Sequence, residues 1–286
     1  MTPRTLLVFI DGFGIGPADP DVNPFMGGTA PVLEAWITQH AAPMEATMGV
    51  PGLPQSATGQ TALLTGLNAA EQLGSHVQGF PGPELTVLIR EHNLYDRLQA
   101  RGYRATFANA YYLESMPDLL ARRRPSVTTV AALKAFGTVR DGAAMRAGRA
   151  VYHDLTRQAL LERGYEGPVI APEEAARHLL GIAREHDFTL FEYFESDLAG
   201  HRGTLEDARA VARKLDRFAA ELERGLDPER ELLVVTSDHG NMEDMSSRQH
   251  TANPVPFIAL GSGSERLLQT VRSITDVTPA LLDLYP

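Results

Sequence analysis

The sequence predicts an α/β protein: a doubly wound, mostly parallel sheet with helices on both faces and a small insertion in the middle. Continuous apolar stretches typical of buried strands alternate with amphipathic helical segments, and three of those strands lead into an aspartate. Such alternation favours parallel strands, and ligands of parallel sheets bind at the carboxyl ends of the strands. The 286 residues are 43% hydrophobic, which predicts a single domain over residues 1–286.

Three predicted strands end in carboxylates. TLLVFIDGFG reaches Asp11, FTLFEYFESD (residues 188–197) reaches Asp197, and ELLVVTSDHG (residues 231–240) contains Asp238. Because parallel strands end at the same edge of a sheet, we expect the three carboxylates within about 10 Å of a common centre.

The helices are predicted from apolar spacing and from residues that start or stop helices. LYDRLQARGYRATFANA indicates a helix stopped at Gly102 and followed by a strand, and TDVTPALLDLYP indicates a short closing helix. Residues 204–225 have apolar side chains at helical spacing between a Thr204 cap and Gly225. Residues 113–168 fit the alternation least well, and we expect them to form a small insertion.

Composition excludes several classes of protein and site. The protein has no cysteine, so a metal would be held by histidine, carboxylate or hydroxyl groups. A formal net charge of -10 argues against nucleic acid or an anionic membrane as the partner. No apolar run approaches the roughly 20 residues of a membrane span, and TLLVFI is too short for a secretory signal. We therefore expect a soluble, cytoplasmic protein.

The stretch VPGLPQSATGQTALLTG places Ser56 at the predicted start of a helix. Serine at this position is commonly an N-cap. It is also a candidate nucleophile, because the positive end of a helix attracts anions. Ser56 alone does not decide between the two interpretations.

Four further fragments supply side chains that bind metal ions: Asp11 in FIDGFG, Asp197 and His201 in DLAGH, Asp238 and His239 in SDHGN, and His250 in QHTANPVPF. Each has an ordinary explanation, because aspartate after a strand is commonly a turn residue and a loop histidine is commonly a surface residue. The combination and its order make the ordinary explanation a poor one.

In this order the fragments resemble the metal-dependent branch of the alkaline phosphatase superfamily, which includes cofactor-independent phosphoglycerate mutase and phosphopentomutase. The resemblance covers roughly the first 70 and the last 100 residues. It implies two divalent metal ions, for which Mn²⁺ is favoured over Zn²⁺. One ion would be held by Asp11, Ser56, Asp238 and His239, and the other by Asp197, His201 and His250.

The resemblance also implies an activity, the hydrolysis of small phosphate monoesters through a phosphoserine on Ser56. Two alternatives stay open: a phosphomutase, and a phosphate-binding module without turnover. Gln60 departs from the family, which usually has histidine after the motif glycine. Gln55 is a second departure, at the position before the nucleophile where the family often has an acidic or polar residue. The insertion is too small for the cap of the mutases, which favours the phosphatase.

Substrate contacts are predicted less sharply. His76 lies in a glycine-rich loop, GSHVQGFPG, that either lines the pocket or forms a structural turn. Asn109 follows the ATFANA strand at the edge where substrate would bind, although packing or capping explains it equally well. The run from Arg122 to Arg124 would attract anions, but a solvated surface is the simpler explanation. The identity of the substrate and the oligomeric state are left open.

Overall fold

A six-stranded sheet lies at the centre of the residues that the computed structural model describes, 2–112, 116–117 and 124–286. Its strands are β1 (Arg4–Ile10), β2 (Ala41–Met44), β3 (Ala105–Phe107), β4 (Phe188–Tyr193), β5 (Glu231–Thr236) and β6 (Val255–Gly261). Their order across the sheet is β2-β6-β5-β1-β4-β3. β1 pairs in parallel with β4 and β5, β3 pairs in parallel with β4, and β6 is antiparallel to both neighbours. The predicted fold class is confirmed.

Helices surround the sheet. The α-helices are α1 (Pro31–Ala35), α2 (Ser56–Thr65), α3 (Ala69–Leu73), α4 (Pro83–His92), α5 (Leu94–Ala100), α6 (Val127–Phe136), α7 (Gly142–Arg146), α8 (Pro172–Arg184), α9 (Glu195–Arg202), α10 (Leu205–Gly225), α11 (Ser264–Thr270) and α12 (Ile274–Leu282). A π-helical turn spans Trp36–His40 and a 3₁₀ turn spans Gln158–Arg163. The predicted Thr204 cap is present as a capping box with Asp207.

The side chains of β1 point alternately to the two faces of the sheet and pack in two apolar cores, one on each face. Leu7 and Phe9 pack with residues of α2, α4, α5, α6 and α12. Leu6, Val8 and Ile10 pack with residues of α8 and α10. Because both faces of the strand are covered, its sequence is continuously apolar from Leu6 to Ile10 instead of alternating.

The predicted end of the fourth strand was wrong. β4 stops at Tyr193, and Asp197 lies in the first turn of α9. Acidic residues stabilise the positive end of a helix, and the first turn of α9 contains Glu195 and Asp197. Asp197 and His201 therefore share one face of a helix, four residues apart.

The described part of residues 113–168 contributes to three apolar clusters, one of which is the core beside Leu6 and Val8, where Val151 and Leu155 pack. Residues of α6, including Val127 and Ala131, are part of the core beside Leu7 and Phe9. Met145, Tyr152 and Tyr165 belong to a separate small apolar cluster. Residues 113–115 and 118–123 of the predicted insertion lie outside the described residues, and its boundaries stay a prediction.

Among the described residues, every helix is too short or too polar to traverse a lipid bilayer.

Candidate metal centre

The seven residues predicted as metal ligands meet at the carboxyl edge of the parallel strands. Asp11 directly follows β1, and its backbone N–H donates to the carbonyl of Tyr193 at the end of β4 (2.8 Å). Asp238 and His239 follow β5. α9 supplies Asp197 and His201, α2 begins with Ser56, and His250 lies in the loop before β6.

One group of ligand atoms surrounds Nε2 of His239. This nitrogen lies 3.0 Å from Oγ of Ser56, 3.3 Å from Oδ1 of Asp11 and 3.5 Å from Oδ2 of Asp238. Ligand atoms bound tetrahedrally at about 2.0–2.1 Å from one ion lie about 3.4 Å from each other. The separations around His239 match that spacing.

A second group surrounds Oδ1 of Asp197. It lies 3.4 Å from Nε2 of His201 and 3.4 Å from Nε2 of His250, and the two imidazole nitrogens are 3.0 Å apart. The ring of His250 stacks on that of His239, with centroids 3.7 Å apart. The two groups are therefore adjacent, and Asp197, His239 and His250 can also be grouped around one ion. Two neighbouring candidate metal sites result, in keeping with a binuclear centre.

Backbone carbonyls fix both histidines of the second group from behind. Nδ1 of His201 faces the carbonyl of Arg248 at 2.7 Å, and Nδ1 of His250 faces the carbonyl of Pro54 at 2.8 Å. A carbonyl only accepts, so each Nδ1 carries the proton, and in the neutral ring Nε2 presents a lone pair. This is the usual orientation of metal-binding histidines.

The protein does not compensate the two buried carboxyl groups of the first group when they ionise. Oδ1 of Asp11 and Oδ2 of Asp238 are buried without a hydrogen-bond partner. Burial and the charge of Asp197 raise the pKa of Asp238 to about 8, and burial with the neighbouring Asp238 raises the pKa of Asp11 well above its ordinary value. Burial lowers the pKa of His239 to about 3, so this ring stays neutral. Buried carboxylates beside a neutral imidazole suit a divalent cation.

Ser56 begins α2 without capping it. The N-cap is Gln55, the helix start has no cap bond from a side chain, and the Oγ of Ser56 faces His239 instead. The backbone N–H groups of Ala57 and Thr58 point at the carbonyl of Val77, at 3.0 and 3.4 Å. Of the two interpretations of Ser56, the cap is therefore excluded. Two of the backbone donors that the helix start would offer to an anion are already used.

Three polar residues behind the ligands are not predicted as supports from the sequence. Nε2 of Gln60 donates to Oδ2 of Asp11 (3.1 Å). Gln60, which stands where the family usually has histidine, therefore orients a predicted metal ligand. Nδ2 of Asn241 donates to Oδ1 of Asp197 (2.7 Å). The fully buried Glu243 accepts from the N–H of Asn241 (2.6 Å) and of Gly14 (3.1 Å). The polar stretch GNMED directly after His239 was the available signal for Asn241 and Glu243.

Glu192, at the end of β4, is a buried acid that no sequence signal singles out. Its Oε2 accepts from Oγ1 of Thr128 at 2.5 Å, and burial raises its pKa to about 7. The side-chain amide of Asn109 bonds to the backbone carbonyl and N–H of Glu192, at 2.7 and 2.8 Å. These bonds give Asn109 a structural role, and its predicted contact with substrate stays a prediction.

A cavity of about 980 Å³ opens beside the two groups and is lined by Asp11, Ser56, Asp197 and His201. His76 does not line it; Nε2 of this ring lies 3.2 Å from the carbonyl of Val50, which supports the structural interpretation. Residues Gln78, Gly79 and Phe80 of the same loop do line the cavity. Arg124 also lines it, whereas residues 122 and 123 lie outside the described residues.

The fold and this centre place the protein in a known group. A family model described as the Metalloenzyme superfamily matches residues 3–285, and the protein belongs to that superfamily. Among sequences, it is 30% identical over 108 residues to a 2,3-bisphosphoglycerate-independent phosphoglycerate mutase of Acetivibrio thermocellus. That match takes in 35% of this chain and 21% of the mutase, so the similar region is about a fifth of the relative's length.

Solved structures show the same fold at low sequence identity. An alkaline phosphatase from the Antarctic bacterium TAB5 superposes with a TM-score of 0.54 at 12% identity, over 99% of this chain and 98% of the phosphatase. A phosphoglycerate mutase of Leishmania mexicana superposes with a TM-score of 0.53 at 12% identity, over 100% of this chain and 95% of the mutase. The predicted resemblance to the alkaline phosphatase superfamily is confirmed.

Proposed function

We propose that the protein is a phosphatase that depends on two divalent metal ions and hydrolyses phosphate monoesters through a phosphoserine on Ser56. One observation carries the proposal. A serine hydroxyl at the start of a helix lies 3.0 Å from an imidazole nitrogen that is also within 3.5 Å of two buried carboxylates. The names of the mutase and phosphatase relatives, both enzymes of phosphate esters, support it.

The residues would hold the ions as two neighbouring sets: Asp11, Ser56, Asp238 and His239 for one ion, and Asp197, His201 and His250 for the other. When bound, two such ions acidify a hydroxyl that they contact and neutralise charge on phosphoryl oxygens. Oxygen and imidazole donors without thiolate suit Mn²⁺, and Zn²⁺ is the alternative.

Ser56 supplies the nucleophile. Its Oγ forms a bond to phosphorus while the bond from phosphorus to the ester oxygen breaks, and the alcohol leaves with a proton. Water then cleaves the Oγ–phosphorus bond, which releases inorganic phosphate and restores the hydroxyl. Gln60 and Asn241 orient Asp11 and Asp197 throughout, through bonds of 3.1 and 2.7 Å.

The charge of the cavity wall suits an anionic substrate. Arg124, Arg163 and Arg202 all line the cavity, although the protein as a whole has a formal net charge of -10. Nη1 of Arg163 is oriented by the hydroxyl of Tyr152 at 3.1 Å. Guanidinium groups bind phosphate oxygens well, which supports a phosphorylated small molecule as the substrate.

Hydrolysis is preferred to phosphoryl transfer within a substrate. A mutase keeps its phosphoenzyme away from water while the substrate reorients, and this needs a closing lid. The region available for a lid is small, because α6 belongs to the core and the separate apolar cluster contains few residues. Water therefore has access to the phosphoserine.

The test is release of inorganic phosphate from an aryl phosphate by protein loaded with Mn²⁺, together with an assay for isomerisation of phosphoglycerate and pentose phosphates. We expect phosphate release that a chelator abolishes, and no isomerisation. Efficient isomerisation with negligible phosphate release would establish the mutase instead.

Ser56→Ala is the decisive variant. We expect it to lower turnover by at least about 1,000-fold, because the nucleophile is lost. Because Ser56 makes no cap bond, we expect a change in unfolding free energy below about 1 kcal/mol. Turnover close to that of the parent, measured alongside thermal unfolding, would exclude a phosphoserine mechanism on Ser56.

A further inference from the structure

The cavity beside the metal centre is much larger than a small phosphate ester requires. Its volume of about 980 Å³ is at the upper end of the roughly 300–1,000 Å³ typical of ligand pockets. An ester of a three-carbon alcohol would leave most of this space to water. The remaining wall therefore contains information about the alcohol part of the substrate.

That wall is rich in rings. Six ring-bearing side chains line the cavity: Phe80, Tyr111, Tyr112, Tyr152, His153 and Phe194. The rings of His153 and Phe194 are stacked, with centroids 4.0 Å apart and planes inclined by 21°. Tyr152 lies against His153, with centroids 4.2 Å apart. These contacts hold a group of ring faces and edges in fixed positions before any ligand binds.

The rim carries apolar side chains that the protein leaves in solvent. Phe80 is 53% exposed and Leu198 is 40% exposed, and both line the cavity. They are two of only five exposed large hydrophobic side chains in the described residues. Exposed apolar groups collected at the mouth of a pocket mark a binding surface. Phe80 is therefore available to contact a ligand.

We infer that the substrate is a phosphate monoester whose alcohol carries a planar ring system of nucleoside size, which packs against this wall while its phosphoryl group lies at Ser56. The inference rests on the proposed function, because Ser56 defines where the phosphoryl group lies. Aromatic side chains stack on planar rings with little dependence on the ring's identity. The wall thus selects a class of alcohol, and the arginines beside it bind polar or anionic substituents.

Binding tests the inference without turnover. The probes are adenosine 5′-monophosphate and glycerol phosphate, titrated by calorimetry into the Ser56→Ala protein in excess Mn²⁺. We expect the adenosine ester to bind at least about 10-fold more tightly than glycerol phosphate, because one stacking contact typically changes affinity by at least this much. Adding Phe80→Ala should remove most of this preference, and Phe80→Trp should retain it. Val87→Ala, an exposed residue of α4 outside the cavity lining, is the matched control and should change neither affinity.

The outcomes separate this inference from the proposed function. Equal affinities for the two esters, or an equal loss for both in Phe80→Ala, would overturn the ring preference even if the parent releases phosphate. A ring preference that depends on Phe80, in a parent that hydrolyses neither ester, would support the inference and reject hydrolysis.

Discussion

The Nε2 atoms of His201 and His250 lie 3.0 Å apart, and Nδ1 of each ring faces a backbone carbonyl. Both Nε2 atoms also lie 3.4 Å from Oδ1 of Asp197, a spacing that suits three donors to one ion. We expect protein loaded with Mn²⁺ to contain about two ions per molecule. His201→Ala and His250→Ala should each retain about one ion, because each removes a donor of the second group.

Elemental analysis after desalting gives the ion count. His40→Ala is the control, since His40 is exposed and lies at the end of the π-helical turn. Two ions in both the His201 and the His250 variants would contradict the assignment of these donors.

The buried side chain of Glu192 leads to a prediction about how the stability of the protein depends on pH. Burial raises its folded pKa from 4.5 to about 7, although the hydrogen bond from Thr128 lowers it. The neutral acid is therefore favoured in the folded state, and its contribution to stability is complete below about pH 4.5 and lost as pH rises through about 7. Glutamine has nearly the shape of the neutral acid and does not ionise. Between about pH 5 and about pH 8, Glu192→Gln should therefore lose less unfolding free energy than the parent, because this interval covers most of the titration of Glu192.

Urea unfolding of chelator-treated protein at the two pH values measures the difference. Glu162→Gln, which changes an exposed glutamate, should behave like the parent. Identical pH dependence of the parent and Glu192→Gln would show that Glu192 is already ionised in the folded protein across this range.

At the scale of elements, the approach of α2 to the loop after β5 brings Ser56 to His239. Gly59 is the residue that permits it, since a Cβ there would lie 2.9 Å from the carbonyl oxygen of Asp238. We expect Gly59→Ala to push α2 away, with a loss of about 1–3 kcal/mol in unfolding free energy and weaker metal binding.

Gly181→Ala is the matched control for Gly59→Ala. Gly181 also lies inside a helix, α8, but nothing lies within 4 Å of the position that a Cβ would take there. Alanine at this site should stabilise the protein by about 0.5–1 kcal/mol, because it favours the helix. If thermal unfolding shows both variants stabilised, the contact between α2 and Asp238 does not restrict the helix.

The fold and the positions of Asp11 and Asp238 follow from the sequence for one physical reason. Apolar runs reveal strands, parallel strands share an edge, and polar residues just after Ile10 and Thr236 must lie on that edge. The supports behind the ligands depend on contacts between distant segments, as between Glu243 and Gly14, and local patterns do not report them. The ring-lined wall is built partly from Tyr111, Tyr112, Tyr152 and His153, which flank or belong to the part of the sequence where periodicity is weak.

At the scale of the whole molecule, the candidate metal centre lowers the stability of the metal-free protein. Asp11 and Asp238 each have a buried oxygen without a partner, so ionisation of either carboxyl is unfavourable in the metal-free protein. Mn²⁺ at about 100 times its dissociation constant should add about 2.7 kcal/mol. This corresponds to a rise of roughly 5–10 °C in the unfolding temperature.

Asp238→Asn should reverse this balance. The substitution removes one charge from the cluster, so the metal-free variant should unfold at a higher temperature than the metal-free parent at pH 8, near the raised pKa of about 8 of this carboxyl. The variant should gain less from Mn²⁺ than the parent, because one ligand of the first group is lost. Calorimetric scans that show the same Mn²⁺-induced rise in both proteins would contradict a role for Asp238 in binding.

The central position of β1 has a consequence for how the protein is made. This strand pairs only with β4 and β5, so after it leaves the ribosome roughly 180 further residues must be translated before its first partner exists, which takes about 10–35 s at about 5–20 residues per second. During that time an apolar strand, LLVFI, has no neighbour in its own sheet. The sheet edge with the candidate metal ligands is therefore completed only after β5 and the loop before β6 have been translated.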